Sequence, residues 1–486
     1  MKILLSILMY TLVVPAYGDE ENDYYRIVTL PTPKGVPFEV GGLDVLPDGR
    51  VAVAIRKGEV WLVDGVYDEP PIDISFKQIA SALHEPLGVL VDGADLLTVQ
   101  RSELTRLRDT NGDDIIDEYL TVANNWGITG NYHEYAFGPK RDGAGRLWLT
   151  LNQTIGVKLT ATDDWRGWGM MLDEGGKLIP ICGGMRSPCG LGANNLGDMF
   201  FTDQQGNWVP TGSLHHMRPG AFFGHVDSLK HARQPESPLE HPGQILSKVP
   251  LAEALENIPA FKPPAIWFPY RKMGMSATDI ANDATGGKFG PFEGQMFVGD
   301  FTMARINRVF LEKVGGKYQG ACFPFRKGFQ SAVVRMAWGA DGSMIVGETN
   351  RGWNSTGSTS YGLERLVWTG ETPFEILSMS AEPDGFTLRF TKSIDLKSAA
   401  APSSYTMSSY TYTYHQDYGS PEIDSRELNI TQATVSADRK SVRLTVDGLR
   451  EIYVHELNAV GVMSVDGESL LHNDAYYTLN QIPNVN

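Results

Sequence analysis

The chain has 486 residues, with 42 lysines and arginines against 58 aspartates and glutamates and a formal net charge of −16. An acidic balance of that size repels nucleic acid and anionic lipid, so neither is expected as a partner. Beyond the first residues no run approaches the roughly 20 apolar residues of a membrane helix, so no membrane insertion is expected; the 52 glycines, above the usual share of about 7%, point to turns and short strands.

Residues 1–18 read as a secretory signal: Lys2, an apolar core from Ile3 to Val14, and the small-x-small site Ala16-Tyr17-Gly18. The expectation is a secreted or periplasmic protein, cleaved near Gly18. In an oxidising compartment Cys182, Cys189 and Cys322 suggest one disulfide and one thiol left over, with all three pairings open. No C-x-x-C-H haem motif is present.

Between residues 30 and 370 one phrase recurs: a short apolar strand, a turn usually built on glycine with aspartate or proline, and a second strand. Its copies are GLDVLPDGRVAVA from Gly42, LGVLVDGADLLTV from Leu87, AFGPKRDGAGRLWLTL from Ala136, GLGANNLGDMFFTD from Gly190, ATDIANDATGGKFGPFEGQMFVGD from Ala277 and MAWGADGSMIVGET from Met336. The early spacing matches the roughly 40 to 50 residues of propeller blades, so six copies predict an all-β, six-bladed β-propeller. Within the second repeat, DTNGDDIIDEY places Asp109, Asn111, Asp113, Ile115 and Asp117 at positions 1, 3, 5, 7 and 9 of the calcium-loop rhythm, with Asp114 where glycine is usual; calcium is expected there in a structural role. The segment from Pro210 to Pro269 is an insertion with the character of a functional lid, and its His215, His216 and His225 lack a carboxylate partner at metal-binding spacing. Residues 372–486 alternate apolar and polar at period two and predict a small immunoglobulin-like β-sandwich. Inside it, PSSYTMSSYTYTYHQDYGSPE reads as a packed edge or loop more readily than as a sugar-stacking face.

In a propeller the loops leading into the first strand of each blade and out of the second gather at one mouth of the channel. Those positions hold His84 and Glu85, His133 and Glu134, Arg186, Ser276 and Asp279, and Arg335 on one side of the repeat. Arg56, Gln100 and Arg101, Asn152, Asp203 to Gln205, Asp300, and Glu348, Asn350 and Arg351 stand on the other. Charged or hydrogen-bonding groups at nearly every blade predict a polar cavity. Histidine offers a general base and arginine a partner for developing negative charge. There is no G-x-S-x-G and no dinucleotide-binding glycine fingerprint.

GMRSPCGLGANNLGDMFFTDQQGNW and YHEYAFGPKRDGAGRLWLTLN resemble segments of the glucose/sorbosone dehydrogenase family, whose likeness extends across about residues 35 to 370, closest to secreted bacterial members with a C-terminal sandwich. The resemblance implies a pyrroloquinoline quinone (PQQ) over the channel, a calcium ion bridging it to the protein, a histidine that removes the proton of a sugar hydroxyl, and an arginine that stabilises the reduced quinone. Arg186 matches the family arginine, and Gln205 and Gly206 fall where backbone carbonyls would hold the catalytic calcium. His133 is the catalytic histidine available, three residues after the family position at Gly130. Thr302 stands near the place of a cofactor-binding lysine, Arg335 where two arginines belong, and Asp300 completes the cofactor set. His84, Asn152, Asp203, Gln204 and Asn350 are left to meet the substrate, a small carbohydrate or polyol, with an external electron acceptor.

Two other functions fit the same fold. One is a non-catalytic propeller that binds a carbohydrate or a protein partner and has lost the cofactor. The other is a calcium-dependent lactonase or hydrolase, with Asp203, Asn152 and Glu348 as metal ligands at the channel centre.

Overall fold

The computed structural model describes residues 20–156 and 164–484. The signal segment read at 1–18 lies outside the described residues. Each repeated phrase forms the two inner strands of an antiparallel blade: Val40–Val45 with Val51–Ile55, Val89–Asp92 with Asp95–Val99, Ala136–Arg141 with Leu147–Leu151, Gly190–Ala193 with Met199–Asp203, Ala277–Asn282 with Met296–Asp300, and Val333–Trp338 with Met344–Thr349. The innermost strands touch in succession and the sixth returns to the first, which closes a six-bladed β-propeller.

The glycines that open several phrases follow from that closure. A Cβ on Gly88 would stand 1.6 Å from the carbonyl oxygen of Gly138 in the next blade, and one on Gly190 would stand 2.0 Å from that of Thr278. The inner strands are so close around the channel that no side chain fits there.

Blade six takes its outermost strand from the other end of the chain. Tyr25–Leu30 pairs antiparallel with Tyr361–Trp368, so the described structure begins where the ring is locked. Blade five departs from the four-strand rule. Its outer strand, Lys317–Lys327, also pairs with Asp474–Leu479, and the sheet continues through Tyr453–Asn458 and Thr406–Tyr414 into one nine-stranded sheet. A four-stranded sheet of Ile376–Glu382, Gly385–Phe390, Ser441–Val446 and Ile430–Val435 covers these C-terminal strands. Ile376, Phe386, Leu444, Leu457 and Tyr477 share one apolar core between the layers, and Phe323 of blade five joins it. Arg308, fully buried, spans the junction: it donates to the carbonyls of Ile376 at 2.6 Å and Leu377 at 2.9 Å and lies 4.1 Å from the ring centroid of Phe292.

All three cysteines are free thiols, so the expected disulfide does not form. Cys182 and Cys322 are buried in outer strands of blades three and five, while Cys189 stands at the channel. The stretch read as an insertion, Pro210 to Pro269, holds the outer strands of blade four, Gly212–His216 and Ile266–Phe268; between them a 3-10 segment, Val226–Arg233, packs on blade three and a short helix, Leu251–Asn257, on the C-terminal strand Thr406–Tyr414, and none of it lines the channel mouth. His215 is buried with its ring on Phe201, 5.0 Å between centroids, and one nitrogen 2.9 Å from the Ser213 hydroxyl. His216 lies against Phe200, and burial depresses the pKa of His215 and His225 to about 3. These histidines are neutral packing groups. Among the described residues no helix is long and apolar enough to cross a membrane.

Candidate active site

A cavity of about 380 Å³ opens at the channel mouth. His133, Asn152, Arg186, Gln204, Gln205 and Arg335 from the predicted set line it. His133 sits where the loop before blade three turns in. Its neighbour Glu134 is fully buried and faces the other way, accepting from the Thr129 amide and hydroxyl at 2.7 Å and the Thr154 hydroxyl at 2.8 Å. That knot fixes the loop and leaves the His133 imidazole with no hydrogen-bond partner among the described residues. Burial, then the charges of Arg186 and Arg101, hold its pKa below the usual histidine value. At neutral pH the ring is unprotonated and can accept a proton.

Arg186 is positioned by a buried carboxylate. Asp203 accepts from the amides of Arg186 at 2.8 Å, Ser187 at 2.7 Å and Gln204 at 2.9 Å, which sets the loop that projects the guanidinium. Burial pushes the Asp203 pKa up to about 6 against those amides and the Arg186 charge. The guanidinium lies flat on Gly206, where a Cβ would stand 1.8 Å from Nε. Nε is buried without a partner, and burial lowers the arginine pKa. Its outer face looks at the ring of Tyr418, 5.3 Å from the centroid.

Tyr418 comes from the C-terminal unit. The segment around it docks on the blade-four loop: Gly419 N–H donates to Gly206 at 3.0 Å, Trp208 N–H to His415 at 3.1 Å, Ser420 N–H to Pro210 at 2.9 Å, and the Asn207 amide to Gln416 at 2.9 Å. The tyrosine-rich stretch thus divides its work. Tyr410, Tyr412 and Tyr414 are buried, and Tyr418, 57% exposed, forms a wall of the cavity.

Three further arginines shape the site. Arg56 pairs with Glu85 and donates to the Tyr135 hydroxyl at 3.2 Å, and Arg101 holds the other Glu85 oxygen at 2.6 Å; Tyr135 packs between them. Arg335 forms the floor, donating to the carbonyls of Gly41 at 2.8 Å, Leu87 at 2.8 Å and Val334 at 2.6 Å, so one cation braces three blades.

Several expected contacts stand elsewhere. Asp203 serves backbone amides beneath the cavity. Asp300 does the same, accepting from Met275, Ser276 and Met303 at 2.8 Å each. Thr302 bonds the Ser276 hydroxyl at 3.2 Å, Asn350 is 3.4 Å from the Thr359 carbonyl, and His84 is exposed to solvent; none lines the cavity. Glu348 accepts from the Ser331 amide at 3.0 Å, its pKa pushed up by burial and Glu364, and of the three residues read as hydrolase ligands only Asn152 lines the cavity. Missing from the predicted set are the aromatic walls, Tyr132, Tyr135, Phe137, Trp353 and Tyr418. Tyr132 and Tyr135 flank His133 in sequence, which is the signal that could have found them.

The carbonyl of Gly206, placed by resemblance on the catalytic calcium, already accepts from Gly419. In the acidic loop, Asp109 accepts from the Gly112 and Asp114 amides at 2.7 Å, Asp113 from Ile115 at 2.8 Å, and Asp117 from the Thr110 hydroxyl at 2.8 Å, with Asn111 accepting from Asp113 at 3.0 Å. The acids turn to the loop itself, and among the described residues no three His, Cys, Asp or Glu side chains converge as a metal cage. The cavity fits a flat anionic group: among the described residues no carboxylate lines it, Arg186 lines it and carries a buried Nε without a partner, and aromatic rings wall it.

No family model matches the chain, and no curated protein matches it in sequence. Solved structures do match. A suspected oxidoreductase (glucose dehydrogenase) of Thermus thermophilus superposes with a TM-score of 0.51 at 16% identity, over 71% of this chain and 100% of its own. The PQQ-bound aldose sugar dehydrogenase of Streptomyces coelicolor gives 0.50 at 15% identity, over 71% and 98%. What the likeness establishes is the propeller fold. The C-terminal unit and its Tyr418 are argued from this chain's own residues.

Proposed function

We propose that the cavity is the active site of an oxidoreductase that acts on a sugar or polyol hydroxyl with a PQQ-type quinone, in an exported protein whose apolar segment 3–14 supports secretion. The observation that carries this reading is the shared cavity of a neutral, unpartnered His133 and an Arg186 that carries an unpartnered buried donor. The quinone, when bound, supplies a two-electron acceptor. Arg186, with the charge of Arg335 below, would hold its anionic groups. Tyr135 and Tyr418 offer flat faces to rings, and their walls exclude water on two sides. His133 takes the proton of the substrate hydroxyl on its imidazole, and Asn152, whose Oδ1 is buried without a partner, orients that hydroxyl.

The test is titration of the purified protein with the quinone, with and without calcium, followed by dye reduction over a panel of sugars. His133→Gln should lower turnover by about 10² to 10⁴, because a positioned base is lost with the shape kept. The replacement of the family lysine by Thr302 and the occupied Gly206 carbonyl favour a second reading, a carbohydrate-binding module. Sugar binding without dye reduction at saturating quinone would establish that reading and end the first.

A further inference from the structure

A second cavity, of about 260 Å³, lies outside the propeller mouth and shares no lining residue with the first. Its wall joins the blade-four insertion to the hairpin end of Lys317–Lys327 and the last C-terminal residues. Arg218, Lys262 and Lys317 line it, and among the described residues no carboxylate does. Arg218 makes no ion pair or side-chain hydrogen bond among the described residues, and its Nε is buried without a partner. Lys262 has only the Pro259 carbonyl, at 2.5 Å, and Lys317 is exposed with no ion pair among the described residues. After burial, the charges of Arg218 and Lys317 are what depress the Lys262 pKa, so the three cations act on one another.

This grouping runs against the chain's composition. With 58 acidic residues to 42 basic ones, a surface cation usually finds an acid, as Lys313 finds Asp198 nearby. Three uncompensated cations around one concave site cost stability through mutual repulsion unless an anion joins them. The floor is apolar, with Leu255, Phe261 and Ile452, so a ligand with a hydrocarbon body suits it better than a bare ion.

We propose that this cavity binds a small organic oxyanion, a phosphate, sulfate or carboxylate on an apolar body, with Arg218 and Lys262 as its main contacts and Lys317 at the rim. Arginine offers a fork of donors to two oxygens of such a group, and the lysines add point charges.

The experiment is isothermal titration of the intact protein at low salt with phenyl phosphate, phenyl sulfate and benzoate in separate arms, which also identifies the preferred head group. At least one should bind saturably with one site per chain. Arg218→Gln with Lys262→Gln should weaken it tenfold or more, Lys317→Gln, exposed and harmless to folding, about threefold, and Arg186→Gln not at all. Lys262→Gln should also raise the melting temperature in anion-free buffer, since repulsion is relieved. Failure of all three probes to saturate at millimolar concentration overturns the proposal. So does binding that survives Lys317→Gln and the double variant unchanged, or that Arg186→Gln abolishes, since the anion would then sit elsewhere.

Discussion

His472 joins three distant parts of the chain, and its removal should be visible in the pH dependence of stability. One ring nitrogen lies 2.6 Å from Glu375 and the other 3.1 Å from Glu21, whose second oxygen accepts from Arg326 at 3.1 Å and from the Lys327 amide at 2.9 Å. Burial alone would lower the histidine pKa; the two carboxylates outweigh it and raise it to about 9. The folded protein therefore keeps a proton that the unfolded chain releases near pH 6.5. The stabilisation is complete below about pH 6.5 and is lost as pH rises through about 9, and the difference from the unperturbed value corresponds to roughly 3 kcal/mol. Urea unfolding at about pH 6 and about pH 9.5 should show the parent losing more than His472→Gln by an amount of that order, the variant starting lower and losing only what the buried thiols of Cys182 and Cys322, raised by burial, lose in both proteins. Equal losses in parent and variant would refute the assignment of the proton to His472.

Tyr418→Ala should weaken ligand binding in the channel cavity by roughly three- to tenfold, the worth of one ring over a cation and a ligand face, with Tyr418→Trp retaining it; calorimetry reads both. Gly206→Ala should displace the Arg186 guanidinium, whose flexible end can move, so ligand affinity or turnover falls while the melting temperature hardly changes. Asp109→Ala should lower the melting temperature in EDTA as well as in calcium, because the Gly112 and Asp114 amides lose their acceptor in either case; a drop confined to calcium would show that the loop's role is to hold the ion.

The parts of this fold that were legible in sequence are the local ones. Each blade's inner hairpin lies within about twenty-five residues and carries a turn signal, so all six phrases coincide with strands. Ring closure by Tyr25–Leu30 against Tyr361–Trp368 leaves no local mark, because the partners are more than three hundred residues apart. The same holds for Asp474–Leu479 beside blade five. The site divides likewise. His133 and Arg186 were readable from their places at strand ends, but the direction of a carboxylate was not: Asp203 and Asp300 occupy equivalent strand ends and both turn to amides, because a buried acid there finds three N–H groups within reach. Tyr418 was hidden for a different reason. Its alternating stretch places Tyr410, Tyr412 and Tyr414 on one buried face, where Tyr412 and Tyr414 pack on Trp267 and Trp208 of blade four, and the loop that follows carries Tyr418 on to the cavity.

The strand Asp474–Leu479 has a consequence for the life of the chain before it is complete. The outer strand of a propeller blade ordinarily presents a row of unpaired amides and carbonyls, the kind of edge on which other chains can add. In blade five that edge becomes an interior ladder, at Gly320, Ala321 and Cys322, only when Asp474–Leu479 arrives, about 150 residues later in the chain. A nascent or proteolytically shortened molecule ending near residue 370 would carry the edge bare together with the apolar face of Phe323. Its hazard would be aggregation rather than simple loss of activity.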